Sequence, residues 1–106
     1  VMNKDIALWL TEGMALYLTN GEPFYKEYLE YREIPSYKGT CTKSPITFAK
    51  IQGYTFAVTY IEYIDETYGW DKVIKLIKTE DYKSILGKSR KDIYNAWVDY
   101  LKDYHQ

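Results

Sequence analysis

The chain is short of the residues that most often carry chemistry. In 106 residues there is one histidine, His105, and one cysteine, Cys41. A single cysteine excludes an internal disulfide, though it says little about compartment. No apolar run reaches the roughly 20 residues of a membrane-spanning helix, and no signal-peptide pattern stands at the start. Neither sign of charge dominates, since 14 Lys and Arg face 15 Asp and Glu for a formal net charge of −1. That balance lacks the basic footprint of a nucleic-acid binder. There is no phosphate-binding glycine loop, internal repeat or low-complexity segment.

What is present fits one globular domain over residues 1–106. Hydrophobic residues make up 46% and charged residues 27%, which argues against intrinsic disorder. The length allows a core of modest buried fraction. Tyrosine is abundant, at 13 residues beside 3 Trp and 3 Phe. An apolar ring with a polar tip suits helix faces half in the core and half in water. The sharper alternative is a stacking surface for sugars or single strands; the scatter of tyrosines through every segment favours half-buried faces.

Hydrophobic spacing predicts an all-α fold of about four to five helices around one core. A first helix runs from Asn3 to Asn20, capped by Asn3 or Asp5 and stopped at Asn20-Gly21. It is apolar almost all round, as in a helix buried on most sides. Glu22-Pro23 opens a short helix through Tyr31. Ile34-Pro35, Lys38-Gly39 and Ser44-Pro45 mark Arg32 to Pro45 as a loop, and Ile46-Thr47-Phe48 reads as a brief extended piece. The longest helix covers Phe48 to Tyr68 and ends at Gly69. Trp70, Val73, Ile74 and Ile77 make a short amphipathic helix. A turn or two follows over Asp81 to Leu86, ended by Gly87. The last helix is capped by Ser89, with Asp92 completing a variant capping box. Ile93, Trp97, Tyr100, Leu101 and Tyr104 line one of its faces, and Lys91, Asp92, Asn95, Asp99 and Lys102 the other. Lys72, Lys75, Lys78 and Lys83 form a solvated face.

Glu12 conflicts with its surroundings. A carboxylate among apolar neighbours in mid-helix is costly unless paired, protonated or metal-bound. Gly13 follows it, and an interior helical glycine costs about 1 kcal/mol relative to alanine. Two unfavourable choices side by side mark a site where local rules yield to function, and a residue without a side chain lets a backbone or ligand approach closely. The alternative is a narrow exposed stripe of Thr11 and Glu12, with Glu12 paired to a lysine.

The segment Trp9-Leu10-Thr11-Glu12-Gly13-Met14-Ala15-Leu16-Tyr17 resembles the W-L-x-E-G-x-A-x-Y stretch of the gluzincin metallopeptidases, the clan of thermolysin-like and aminopeptidase-like zinc enzymes. The resemblance implies that Glu12 is the third zinc ligand, on the helix after the one that carries H-E-x-x-H. Zinc then takes two imidazoles and one carboxylate, with a fourth position for water, which becomes hydroxide-like near neutral pH. Tyr54-Thr55-Phe56-Ala57, followed by Tyr60, Ile61 and Ile64, resembles the Y-x-x-G/A/S stretch of the same clan. That likeness implies a catalytic Tyr54 donating to the oxyanion of a tetrahedral intermediate. Tyr68-Gly69-Trp70-Asp71-Lys72-Val73 and the Trp97 helix resemble the tail of such domains.

The clan's two histidines and general base come from H-E-x-x-H, which this sequence does not contain. The clan's spacing puts them ahead of Val1. The expectation is therefore a C-terminal subdomain of a longer peptidase-like domain. On that expectation zinc is bound in the intact parent but not by this chain alone, and the parent acts on a peptide or protein substrate. His105 reads as a tail residue, and Cys41, without a histidine nearby in sequence, is not a nucleophile. The competing readings are a non-catalytic helical interaction module with a tyrosine-rich surface, and a pseudo-peptidase that keeps the fold without the metal. A homodimer through an exposed apolar face is a further expectation.

Overall fold

The computed structural model describes residues 7–20, 33–50 and 53–104, with the side chains of 20, 53, 54 and 104 excepted. Among them the helical spacing is realised as α1 (Leu8–Asn20), α2 (Tyr37–Thr40), α3 (Pro45–Lys50), α4 (Gly53–Tyr68), α5 (Trp70–Thr79), α6 (Tyr82–Leu86) and α7 (Arg90–Tyr104). No strand occurs among the described residues, so the fold is all-α. None of the described helices is long and apolar enough to cross a membrane.

The described residues alone form seven helices where about four to five are expected, because the region that the sequence marks as a loop is partly helical. Ser36 accepts from the Gly39 N–H at 3.1 Å and starts the single turn α2. Ser44 accepts from the Thr47 N–H at 3.3 Å, and Pro45 opens α3. Proline suits this place, since the first helical N–H has no intrahelical partner to lose. Ile46-Thr47-Phe48 is accordingly helical, not extended. The expected long helix Phe48 to Tyr68 falls on α3, which starts earlier at Pro45, and on α4; residues 51 and 52 lie outside the described residues. The proposed caps Asn3 and Asp5, the stop at Gly21, the Glu22–Tyr31 helix and His105 also lie outside them.

The downstream half follows the sequence closely. Gly69, at φ 97°, separates α4 from α5 in a conformation that side chains disfavour. On α5, Val73, Leu76 and Ile77 are buried, and Lys75 and Lys78 point to water. Asp81 accepts from the Ser84 N–H to start α6, and Gly87 ends it. Ser89 accepts from the Asp92 N–H at 3.1 Å at the start of α7. Ile93, Trp97 and Leu101 are buried on that helix, while Lys91, Asp92, Asn95, Asp99 and Lys102 are exposed.

The core is largely aromatic. Trp9 meets Phe48, Tyr60 and Trp97 edge to face, with ring centroids 6.3, 5.7 and 5.4 Å apart. Trp97 in turn meets Phe56 and Tyr94. Such pairs add about 0.5–1.5 kcal/mol each beyond the area they bury. The Trp97 indole N–H donates to Thr59 Oγ1 at 2.9 Å, and that hydroxyl donates to the Phe56 carbonyl at 2.6 Å. A buried threonine is thereby satisfied and ties α7 to α4. The Trp9 indole N–H is buried and has no hydrogen-bond partner among the described residues.

α1 packs chiefly on α4. At the crossing, a Cβ on Gly13 would lie 2.7 Å from the Ala57 carbonyl oxygen and 3.0 Å from its Cβ. Only a residue without a side chain allows that approach. The opposite side of α1 differs from expectation. Thr11, Met14, Ala15 and Leu18 line a groove of about 370 Å³ with Ile74, Ile77 and Lys78 of α5, and Leu18 is 63% exposed. The helix is therefore buried on one side and open on the other, because no described element covers that stripe. Gly13→Ala is expected to lower stability by about 1–3 kcal/mol, since the added methyl meets backbone that cannot swing away. Urea denaturation followed by circular dichroism measures the change; a variant as stable as the wild type contradicts the packing.

Candidate functional site

The two residues singled out by sequence sit on the two helices that touch at Gly13. Glu12 is half-buried, at the border between the packed face of α1 (Trp9, Leu10, Gly13) and the open groove. It is not enclosed in the core, and among the described residues it has no lysine partner. Tyr54 is in the first turn of α4, three residues before Ala57, on which Gly13 rests. The Tyr54 side chain lies outside the described residues.

Glu12 offers a single carboxylate. Among the described residues no group of three His, Cys, Asp or Glu could hold a metal ion. The described residues therefore fit zinc as a source of one oxygen ligand and not as a complete site. Cys41 is free and half-buried.

Polar ties that the sequence did not reveal hold α1 at both ends. Near its C-terminal end the Tyr17 hydroxyl donates to Asp65 Oδ2 of α4 at 2.8 Å, and its ring stacks on Trp70 at 6.1 Å. Burial and the Asp65 acceptor hold that phenol well above its ordinary pKa. At the start of α1 the Ala7 N–H donates to Glu80 Oε1 at 3.2 Å. Glu80 Oε2 lies 2.8 Å from Arg90 Nη2. The contact is an ion pair without an aligned hydrogen bond, and Oε2 has no hydrogen-bond partner among the described residues. The Arg90 guanidinium lies 5.7 Å from the Tyr82 ring centre, and the Tyr82 and Tyr60 hydroxyls are 2.7 Å apart. Burial works against the Arg90 charge, but Tyr82 and Glu80 outweigh it and hold its pKa above the usual value. No spacing rule brings Glu80 to Ala7, 73 positions away; the signal lay only in two charged residues beside apolar runs.

Of the tyrosines with described side chains, Tyr60 and Tyr82 are buried, and Tyr17, Tyr37, Tyr63, Tyr68, Tyr94 and Tyr100 are half-buried. Their hydroxyls reach partners across helices: Tyr94 donates to the Pro35 carbonyl at 2.6 Å and Tyr100 to Glu66 at 2.9 Å. The tyrosines thus join helices along their edges and form no exposed patch among the described residues.

Comparison with protein-family models, curated proteins and solved structures finds no match to the chain. Any functional reading accordingly rests on its own residues.

The paired phenols predict how stability depends on pH. Burial, first of all, raises the pKa of Tyr60 and of Tyr82 above the ordinary 10.0. Each keeps its proton in the fold at a pH where the unfolded chain loses it. Their contribution is therefore whole below about pH 10 and declines as the pH rises, by about 1.4 kcal/mol per pH unit for each phenol. The denaturation midpoint is expected to drop between pH 10 and 11, and a Tyr60→Phe, Tyr82→Phe double variant should flatten that drop. An unaltered pH profile in the double variant would show that these phenols are not the cause.

Proposed function

We propose that the chain is the helical part of a zinc-peptidase-like catalytic domain, with Glu12 as one metal ligand and Tyr54 as an oxyanion donor. The two histidines and the general base would come from another segment of a longer polypeptide. The observation that carries the reading is the Glu12-Gly13 pair. The glycine that costs helix propensity is used to bring α1 onto the Ala57 backbone of α4, and the adjacent Glu12 is half-buried, neither in the core nor fully exposed. A ligand on a rigid packed helix is held more exactly than one on a loop.

Zinc, when bound, polarises the scissile carbonyl and makes its water nucleophilic near neutral pH. The chain's own contributions are narrower. Glu12 supplies a carboxylate whose charge offsets part of the metal's. Tyr54 supplies a hydroxyl donor for the charge that develops on the carbonyl oxygen of a peptide or protein substrate. With one ligand of the set, the isolated chain is inert. A tyrosine-rich interaction surface remains the alternative reading; the tyrosines with described side chains are buried or half-buried and do not form it.

The test is metal analysis of the natural full-length polypeptide and its Glu12→Gln variant after dialysis. About one zinc per chain is expected in the wild type, with most of it lost in the variant. Equal zinc in both sinks the ligand role, and a zinc-free wild type whose preceding sequence lacks both histidines makes this a pseudo-peptidase.

A further inference from the structure

Glu80 occupies a position made for another residue. It closes α5 in the left-handed conformation, at φ 58° and ψ 27°, with its N–H on the Leu76 carbonyl. Glycine is the usual choice there, since it has no side chain to resist that backbone. Among the described residues Glu80 is the one non-glycine at positive φ. A backbone outlier persists when its surroundings over-determine it, and here the surroundings act through the carboxylate.

That carboxylate joins the ends of three helices. One oxygen accepts the Ala7 N–H at 3.2 Å at the start of α1, where the methyl side chain of Ala7 has no acceptor to offer. A negative charge there also suits the positive end of the helix dipole. The other oxygen pairs at 2.8 Å with Arg90, the first residue of α7, and the two side chains are 13% and 27% exposed. Arg90 is braced in turn by the Tyr82 ring, and Tyr82 by the Tyr60 hydroxyl. The brace therefore runs from the start of α1 through α5, α7 and α6 back to α4.

We infer that Glu80 is a positioning residue, which fixes the start of α1 and thereby the orientation of Glu12. α1 is then held at three places: by Glu80 at Ala7, by the Gly13 contact with Ala57, and by the Tyr17 bond to Asp65. A helix fixed at its start, middle and end neither slides nor rotates, and Glu12 lies between the first two of these points. The consequence for metal binding rests on the zinc reading given above; the mechanical role does not.

Glu80→Gly separates this role from a plain helix cap, because glycine suits the backbone but brings no carboxylate. Glu80→Gln keeps an oxygen for the Ala7 N–H without the charge. Amide hydrogen exchange is measured on the chain, and zinc retention against a chelator on the natural full-length polypeptide. In Glu80→Gly the Ala7, Leu10 and Thr11 amides are expected to exchange about tenfold faster, with the middle of α4 unchanged. Glu80→Gln should fall between that variant and the wild type. Zinc should be held about tenfold more weakly by Glu80→Gly, as when the support of a ligand is removed. Unchanged exchange at the start of α1 overturns the inference. Faster exchange with unaltered zinc retention overturns the link to Glu12. If the wild type holds no zinc, the metal reading falls by itself, and exchange alone decides whether Glu80 fixes the helix.

Discussion

The contact of Gly13 with the Ala57 backbone is the constraint on which the rest of the molecule turns. A Cβ at position 13 would stand 2.7 Å from a carbonyl oxygen, so the distance between α1 and α4 is set by the lack of one methyl group. That close approach lets Trp9, four residues earlier, reach across to Phe48, Tyr60 and Trp97. It also brings Tyr17, four residues later, within hydrogen-bonding reach of Asp65. The aromatic core and the polar tie at the far end of α1 both follow from the same crossing.

Around this crossing the molecule uses tyrosine and tryptophan as joints between helices. The rings fill the core and its edges, and the polar atoms of most find partners: Trp97 on Thr59, Tyr60 on Tyr82, Tyr94 on the Pro35 carbonyl. A long aliphatic side chain would fill similar space but leave no means of fixing one helix against the next. The described tyrosines therefore serve assembly, and the open stripe of Thr11 to Leu18 against α5 is aliphatic in character.

Much of the fold was legible because its signals are local. The Ser89 cap, the stops at Gly69 and Gly87, the burial of Val73 and Ile77, and the two faces of α7 all depend on residues within a few positions of each other, although Leu76 takes the buried place expected of Ile74. The region before α4 was harder. By its pattern Pro45 ends a loop, yet with Ser44 as cap it begins a helix; proline disrupts a helix interior and fits a first turn equally well. The apolar circumference of α1 predicts burial on most sides, whereas the described residues cover only one side, since hydrophobicity reports what a residue tolerates and not whether a neighbour is present.

The sequence by itself determined the helical class, the downstream helix boundaries and the oddity of Glu12-Gly13, since propensity, capping and a carboxylate in an apolar run are all written within a turn or two of chain. Only the tertiary structure decided why Gly13 is glycine, where Glu12 stands relative to the core, and that Glu80 is joined to Ala7 and Arg90. Those facts depend on distances between segments tens of residues apart. Such distances are set by how helices pack, and packing is a property of all the side chains at once.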